Sequence, residues 1–213
     1  MLKIENVEIY GWEAAIRGMR NPMNSWDKSD SYETRVENPV TAETGHHQFV
    51  VGDADKALMQ KLASAGNDHG KFLRYITVTA DITGPLYWYK EYDTYKVATV
   101  ANSCSTMHKI HAKPFELDDF SHEHLRSMAL NNLEATIRVL NHYRNLFVES
   151  KDKAYWWQMI QLLPSSYNQK RTVQLNYAVL KAMYHARRHH KLDEWHVFCD
   201  WVETLPHADL ITA

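Results

Sequence analysis

The longest regular pattern in this sequence is helical and covers residues 121 to 149. Apolar side chains recur there near the spacing of an α-helix, and Ser121 stands at the start as a candidate N-cap. The recurring positions are Leu125, Met128, Leu133, Ile137, Leu140 and Phe147. The pattern predicts one long helix and makes helix the main component of the fold.

Two segments alternate apolar and polar residues and therefore predict strands. The alternation slips once within residues 2 to 12, and in residues 73 to 82 one face carries Ile76, Val78, Ala80 and Ile82. Strands combined with helices give an α+β fold, predicted as a mixed sheet flanked by long helices. No internal repeat or shift of composition divides the chain, so residues 1 to 213 are predicted to form a single domain.

The remaining segments are assigned from breakers and caps. Helices are predicted over residues 53 to 66, 86 to 96, 156 to 163, 166 to 187 and 193 to 202, although 86 to 96 would also suit a strand. The helix from residue 166 depends on Ser166 and Gln169, which fit an S-x-x-Q capping box. Residues 18 to 48 are predicted to be a long loop that could act as a flap, and residues 98 to 113 a loop or short turn.

Composition excludes several classes of protein. The formal net charge of -2 leaves no overall basic field for nucleic acid or anionic membrane, and no apolar run could span a bilayer. Cys104 and Cys199 lack C-x-x-C spacing and the first residues do not resemble a signal peptide, which predicts a reducing, cytoplasmic location. His185 and His189 have the spacing of a metal pair, but Arg187 between them would repel a cation, so no metal site is predicted.

Aromatic residues make up 12% of the chain, and thirteen histidines accompany them. Rings at this density need partners for their N–H and O–H groups, which favours a hydrated core, a subunit interface or a pocket for a flat ligand. The motifs of dinucleotide folds, P-loop enzymes, serine hydrolases and zinc proteases are absent from the sequence.

Three polar residues would share one face of the predicted helix from residue 166. Gln169, Asn176 and Arg187 are separated by seven and eleven residues, and at roughly 100° per residue both steps return to the same side. Such a row could hydrogen-bond a heterocycle or clamp a phosphate, and the alternative is a solvated face. In either case Arg187 is predicted to be exposed, so its removal would leave the unliganded protein nearly as stable.

A second polar cluster lies in residues 89 to 109. Its basic side chains would form a rim around short hydroxyl and amide side chains. The basic members are Lys90, Lys96, His108 and Lys109, and the short polar members are Thr99, Asn102, Ser103 and Ser105. This combination suits a phosphate-bearing ligand with tyrosines available for stacking, and the alternative is a polar loop beside a lysine-bearing helix.

Together the two clusters resemble the flavin-dependent thymidylate synthases. The signature of that family is Arg-His-Arg followed by x-x-Ser-x-Asn-x-x-Ser-x-Arg, and an Arg-Gln pair precedes it. Here Lys90 and Glu91 fall at the Arg-Gln pair, and residues 94 to 96, Thr-Tyr-Lys, fall at Arg-His-Arg. With one inserted residue, Asn102 and Ser105 fall on the Asn-x-x-Ser stretch, and a methionine takes the place of the last arginine.

The C-terminal half carries the closer match. The segment LLPSSYNQKRTVQLNYAVLKAMYHARR is similar to a stretch of the family in which Leu-Pro and a turn precede a helix that bears an Asn and, eleven residues later, an Arg. Asn176 and Arg187 have that spacing. The resemblance covers residues 50 to 205 in the order of elements and the last third of the chain at the level of motifs.

The resemblance implies a fold, an assembly and an activity. Family enzymes are α+β homotetramers that bind FAD and deoxyuridylate, move a carbon from methylenetetrahydrofolate to C5 of the pyrimidine and reduce it with a hydride derived from NADPH. By this resemblance Arg187 would contact and polarise the pyrimidine. The cofactor would be bound by Lys96, Tyr95, Asn102 and Asn176, and the substrate by Lys90, Glu91, Ser103, Ser105, Gln169 and Arg187.

The departures from the signature leave three functions open. A lysine cannot reproduce the bidentate fork of an arginine, and Glu91 puts a negative charge where the family has an amide. Aromatic residues at positions 87, 88, 89, 92 and 95 fill this stretch, so either stacking replaces ion pairing there or the cofactor has been lost. The protein is then a divergent flavin-dependent enzyme, a nucleotide-binding protein without chemistry, or an interaction protein whose aromatic residues serve a subunit interface.

Overall fold

A computed structural model of the chain describes residues 2–36 and 46–213. Its strands are β1 (Lys3–Tyr10), β2 (Tyr32–Val36), β3 (His46–Val50), β4 (Thr77–Pro85), β5 (Val100–Ser103) and β6 (Asn168–Asn176). Its helices are α1 (Trp12–Arg20), α2 (Asp53–Ser64), α3 (Leu86–Tyr92), α4 (Ser127–Ser150), α5 (Lys153–Leu162), α6 (Tyr177–Arg187), α7 (Asp193–Glu203) and α8 (Asp209–Thr212). The predicted α+β class is confirmed.

Four strands form one antiparallel sheet in the order β1-β4-β6-β5, and β2 pairs with β3 in a separate hairpin. In β4 the side chains of Val78, Ala80 and Ile82 are buried, while the threonines that alternate with them are partly exposed. Val173 and Leu175 of β6 are buried in the same cluster. The alternation therefore gives the sheet one apolar face, and helices cover it.

The larger core lies between this face and helices α1, α2, α3, α6 and α7. Its largest fully buried side chains include two tryptophans and two tyrosines, which are Trp88, Trp195, Tyr89 and Tyr177. Trp88 and Trp195 contact each other with ring centroids 5.0 Å apart. The hydroxyl of Tyr89 donates to the carbonyl of Ile82 at 2.7 Å, and the hydroxyl of Tyr177 donates to that of Pro206 at 2.5 Å. Much of the aromatic content is thus core. The hydroxyls of Tyr89 and Tyr177 have partners there, whereas the indole N–H of Trp88 has none within the described residues.

A second core joins the α4–α5 hairpin to the segment of residues 110–120. It contains Ile110, Phe115, Phe120, Leu133, Ile137, Leu140 and Met159. Helix α4 begins at Ser127 and not at the predicted cap Ser121. Ser121 is instead buried, its backbone N–H donates to the carbonyl of Ser166 at 2.8 Å, and its hydroxyl donates to Asn168 at 2.9 Å. The residues before Ser127 therefore pack against the segment that leads into β6.

The predicted helix from Ser166 is wrong in its first half. Residues 168 to 176 form β6, which hydrogen-bonds to β4 on one edge and to β5 on the other. Two neighbouring strands satisfy its backbone groups more completely than an isolated helical turn could, and its alternating side chains fit a sheet. Helix α6 begins only at Tyr177, and the side chain of Asn176 caps it by accepting from the N–H of Val179 at 2.9 Å.

Several other boundaries differ from the sequence-based assignment. Residues 12–20 form α1 where a strand was expected to run into Trp12, and residues 100–103 form β5 within a predicted loop. Helix α1 can begin where it does because Gly11 has a φ of 92°, and a Cβ there would lie 2.0 Å from the carbonyl oxygen of Tyr75. The helical alternative for residues 86 to 96 is confirmed by α3.

The segment predicted as a loop at residues 18 to 48 contains fixed structure. The buried carboxylate of Asp55 accepts from Arg20 Nε at 2.6 Å, from the hydroxyl of Ser29 at 2.6 Å and from that of Ser31 at 2.7 Å. Strands β2 and β3 follow, and residues 37–45 lie outside the described chain. The part around residues 20 to 31 is therefore fastened to α2, and the flap prediction for residues 37–45 stays a prediction.

Candidate functional site

Glu91, near the end of α3, is the centre of a charged cluster between α3, α6 and α7. Its Oε2 accepts from Nη1 of Arg187 at 2.9 Å and from the indole N–H of Trp195 at 2.9 Å. Nε2 of His190 lies 3.2 Å from the same oxygen. One carboxylate thus meets three nitrogen atoms from the C-terminal part of the chain, which fixes α3 against α6 and α7.

Arg187 is held on several sides. Its Nε donates to the hydroxyl of Tyr95 at 3.0 Å, and its guanidinium carbon lies 5.0 Å from the centre of the Trp195 ring. Only 21% of the side chain is exposed, so the expectation of a freely exposed Arg187 is wrong. The reason is the acid at position 91, which the guanidinium neutralises within the chain. Within the described residues its Nη2 donates to no partner.

The predicted row of Gln169, Asn176 and Arg187 does not exist, because the first two residues belong to β6 and only Arg187 lies on a helix. The side-chain oxygen of Asn176 accepts from the backbone N–H of Val179 and thereby caps α6. The amide of Gln169 donates to the backbone carbonyl of Cys104 at 2.7 Å, and its oxygen accepts from Nε of Arg171 at 2.9 Å. Both amides are buried and serve the connections of β6.

Arg171 is a cation that the sequence analysis did not single out. It lies on the same face of β6 as Gln169, its Nη1 donates to Asp93 at 2.7 Å, and its guanidinium carbon is 3.7 Å from the centre of the Tyr89 ring. Burial raises the pKa of Tyr89 and of Tyr92, so both phenols stay neutral. The alternation of β6 would have placed Arg171 on the inner face, but only after residues 168–176 had been recognised as a strand.

A cleft beside this cluster includes two of the predicted cofactor-binding residues, Tyr95 and Lys96. It has a volume of about 340 Å³ and is also lined by Tyr92, Asp93, Thr99 and Ala101. Lys96 is exposed and forms no ion pair within residues 2–36 and 46–213. The hydroxyl of Tyr92 is buried and lacks a hydrogen-bond partner in the described chain. A buried hydroxyl without a partner costs free energy, so the Tyr92 side chain beside this cleft carries a polar group that the described chain leaves unsatisfied.

The other predicted ligand contacts are distributed around β5. Lys90 is exposed in the last turn of α3, and Asn102 and Ser103 are exposed on β5 opposite Thr172 and Arg171 of β6. The hydroxyl of Ser105 accepts from the backbone N–H groups of Met107 and His108 at 3.2 and 2.9 Å, which closes its own turn. Ser105 therefore shapes the loop, and the binding roles of all four residues stay predictions.

A basic cleft on the opposite side of α6 was not predicted. Ala178, Lys181, Ala182 and His185 follow the i, i+3, i+4, i+7 spacing of one helix face. They line a cleft of about 500 Å³ together with Leu73, Arg74, Ala213 and residues of the 63–70 segment, and no acidic side chain lines it. The sequence signal for this cleft is the regular spacing of two alanines and two basic residues, on a face that does not include the predicted row of Asn176 and Arg187.

Lys181 is the inner cation of this cleft. Its ammonium donates to the backbone carbonyl of Ala63 at 3.2 Å, and burial lowers its pKa. Arg74 and His185 are exposed on the rim, and neither forms a salt bridge with a carboxylate that the structure describes. Three basic side chains and a floor of two alanines give a surface that suits an anionic ligand with a flat portion.

Within residues 2–36 and 46–213, no three side chains of His, Cys, Asp or Glu are grouped closely enough to hold a metal ion. No helix in this part of the chain combines the length and apolar character needed to cross a bilayer.

Comparison with known proteins gives a likeness of structure. Neither a protein-family model nor a curated protein matches the sequence. The flavin-dependent thymidylate synthase ThyX from Helicobacter pylori, solved with FAD and dUMP, superposes with a TM-score of 0.69 at 16% identity over 99% of this chain and 98% of that one. A second structure of ThyX from Helicobacter pylori with FAD and dUMP gives 0.70 at 15% identity, over 100% and 98%.

A third solved structure belongs to a UMP/dUMP methylase. It is PolB from Streptomyces cacaoi bound with 5-Br dUMP, with a TM-score of 0.61 and 12% identity over 96% of this chain and 89% of that one. The chain therefore has the fold of the flavin-dependent thymidylate synthases along its whole length. The resemblance seen in the sequence is confirmed at the level of the fold.

Proposed function

We propose that the protein binds a pyrimidine nucleotide and FAD and transfers a one-carbon unit to C5 of the pyrimidine. The observation that carries this proposal is the fold match over the whole chain to structures solved with dUMP or 5-Br dUMP, two of them also with FAD. Fold alone does not determine function, so the proposal also requires surfaces with the right chemistry. The clefts on either side of α6 supply them.

The residues of the basic cleft fit FAD. Arg74, Lys181 and His185 supply positive charge for a diphosphate, and Ala178 and Ala182 leave room for a flat ring. When bound, FAD would supply a group that accepts and returns a hydride. Lys96 and Tyr95 beside the second cleft, with Asn102 and Asn176, remain the other proposed cofactor contacts.

The nucleotide is proposed to lie against the Glu91 cluster. Arg187 offers its free Nη2 to a pyrimidine carbonyl, and Glu91 and Tyr95 orient the guanidinium so that it polarises the ring when charge develops on it. Lys90 and Ser103 would contact the phosphate, with Ser105 and Gln169 shaping the adjoining turn and strand. In this proposal the carbon donor is methylenetetrahydrofolate, the reductant is NADPH, and the protein works as a cytoplasmic homotetramer.

One observation favours a second function, the binding of a nucleotide without chemistry. Glu91 already neutralises Arg187, and Asp93 already neutralises Arg171. A ligand then finds fewer free guanidinium groups here than in a site built from unpaired arginines. The same clefts would still hold a nucleotide through Lys96 on one side of α6 and through Arg74, Lys181 and His185 on the other.

The first experiment measures binding. The purified protein is examined for flavin absorbance and for any ligand released on denaturation, and its melting temperature is recorded with FAD, dUMP and UMP added singly and in pairs. The proposal expects bound flavin or a melting shift with FAD, together with a shift with dUMP or UMP. A shift with nucleotides alone supports the second function. No shift with any of them contradicts both and leaves an interaction protein.

The second experiment measures chemistry. dUMP or UMP labelled with tritium at C5 is incubated with the protein, FAD, methylenetetrahydrofolate and NADPH, because replacement of the C5 hydrogen releases the label to water. Tritium release that depends on FAD supports the enzyme. Binding without release, at enzyme concentrations equal to the nucleotide, supports the binding protein.

A further inference from the structure

A small pocket lies where the segment after β5 passes the junction of α4 and α5. It has a volume of about 270 Å³ and is lined by Met107, His108, His111, Phe147, Lys153 and Trp156. Two hydrogen bonds fix its walls. The indole N–H of Trp156 donates to the carbonyl of Met107 at 3.0 Å, and Nε of Arg144 donates to the carbonyl of His111 at 3.0 Å. The pocket is therefore built by both the loop and the helical hairpin.

His111 lines this pocket and has an unused hydrogen-bonding atom. Its Nδ1 is buried and has no hydrogen-bond partner in the described chain, and its ring meets Phe147 edge-on with centroids 4.8 Å apart. Buried polar atoms in native proteins are almost always paired with protein or with a bound molecule. The orphaned nitrogen points to a group that completes the pocket.

The surroundings of His111 are strongly basic. Burial lowers the pKa of His111, and the nearby cations Lys151, Lys109 and Arg144 lower it further. His108 and Lys153 belong to the lining itself. None of these cations forms a salt bridge with a carboxylate of a described residue. Positive charge concentrated in one place without a counter-ion attracts an anion.

One acidic residue, Asp152, lies between Lys151 and Lys153 in the chain. Asp152 precedes α5, and its carboxylate accepts from the N–H of Ala154 at 2.9 Å as the helix cap. It does not line the pocket. The dipole of α5 adds to the positive field at this end of the helix.

We propose that this pocket binds the phosphate group of a phosphate monoester carried by a single planar ring. The phosphate is bound by Lys153 and His108, and the nearby cations Lys109, Arg144 and Lys151 add to the positive field. Trp156 and Phe147 flank the ring. His111 takes up a proton on its Nδ1 and donates it to a phosphate oxygen. The volume suits one ring with one phosphate, because it is slightly below the usual range of roughly 300 to 1,000 Å³ for ligand pockets.

The inference is independent of the proposed function. Phenyl phosphate, which has neither a pyrimidine nor a sugar, is the probe, and no flavin is required. A protein that fails to bind FAD or dUMP can still bind phenyl phosphate, and the reverse also holds, so the two proposals fail separately.

Binding is measured by calorimetry with phenyl phosphate and with inorganic phosphate at constant ionic strength. The wild type is expected to bind both, with phenyl phosphate at least about fivefold tighter because of its ring contacts. Lys153→Met is expected to weaken both by about fivefold or more, whereas Lys61→Met, an exposed lysine on α2, leaves both unchanged. No binding at millimolar concentration, or equal losses in the two variants, overturns the proposal.

The proton on His111 predicts a pH dependence of binding, which a purely structural role of this residue would not produce. Phenyl sulfate is used because it does not titrate between pH 5.5 and 7.5, and the wild type is expected to bind it at least about fivefold tighter at the lower pH. The groups facing His111 are Lys109 and His108 on its own segment, Arg144 and Lys151 around the end of α4, and Lys153 on α5. The pH dependence is expected to persist in His108→Gln and to disappear in His111→Gln. A dependence that survives in His111→Gln contradicts the assignment.

Discussion

The two sides of α6 use positive charge in different ways. Arg187 faces α3 and α7, and its guanidinium is committed to Glu91 and Tyr95. Lys181 and His185 lie roughly 120° and 160° around the helix from Arg187, in a cleft without acidic side chains. A cation that the chain neutralises itself mainly holds elements together, whereas cations left without a counter-charge are available to a ligand. Substitutions at Glu91 and Arg187 are therefore expected to lower stability, whereas substitutions at Lys181 and His185 are expected to weaken ligand binding.

The largest expected effect is on stability, in Glu91→Ala. The substitution leaves the buried indole N–H of Trp195 without an acceptor and Arg187 without its carboxylate. We expect the free energy of unfolding to fall by about 2 to 4 kcal/mol. The lower value applies if solvent screens the partly exposed pair of Glu91 and Arg187. This range corresponds to a fall of about 5 to 10 °C in the melting temperature measured by calorimetry. Glu149→Ala on the exposed end of α4 is the matched control, and equal melting temperatures in the two variants would remove the distinction between the sides.

Arg187→Met is expected to have the next largest effect, both on stability and on nucleotide binding. Stability falls by about 1 to 2 kcal/mol, because Glu91 keeps Trp195 and His190 as partners. The melting shift produced by dUMP or UMP disappears, because the free Nη2 is lost. Chemical denaturation measures the first and thermal melts with nucleotide the second. A variant that keeps its nucleotide shift would show that Arg187 is a structural residue only.

Lys181→Met is expected to change binding and not stability. Burial lowers the pKa of Lys181, so keeping the side chain charged destabilises the folded state at pH 7. This destabilisation disappears as the pH rises from the lowered pKa toward the ordinary value of about 10.5. Removing the charge should leave the melting temperature at pH 7 unchanged or about 1 to 2 °C higher. The dissociation constant for FAD, measured by fluorescence titration, should increase about tenfold. Lys61→Met serves as the control, and a destabilised Lys181→Met protein would contradict the comparison.

The smallest expected effect belongs to His185→Asn on the rim of the same cleft. The ring is exposed and its recorded contact is an edge-on approach to Tyr184 with centroids 5.5 Å apart. We expect a two- to threefold weaker binding of FAD, about 0.5 kcal/mol, with an unchanged melting temperature. A loss as large as that in Lys181→Met would place the anionic part of the ligand at the rim and not at the floor of the cleft.

Much of the fold could be predicted because periodicity depends only on local sequence. Helices α2, α5 and α7 and strands β1 and β4 were all found from the spacing of apolar residues. Strand β6 is not predicted because Ser166 and Gln169 fit a helical capping box, whereas the pairing with β4 and β5 that stabilises the strand is not visible in the sequence. Non-local hydrogen bonds decided that segment against its local signals.

The candidate site was less predictable. The resemblance named Glu91, Tyr95 and Arg187, and the structure brings these three together. It did not show that Glu91 would neutralise Arg187, because that contact joins residues 96 positions apart. The basic face of α6 was present in the sequence as a regular spacing, and it was overlooked because a wrongly extended helix had already been assigned a different polar face.

The direct passage from β6 into α6 has a consequence for the length of the chain. Asn176 ends the strand and Tyr177 begins the helix, with no connecting loop between them. One inserted residue at this junction would turn α6 by about 100°, which would carry Arg187 away from Glu91 and move Lys181 out of its cleft. Substitutions on α6 change one site at a time, but an insertion or deletion here would disrupt both, so homologues should vary in residue type at this junction and not in length.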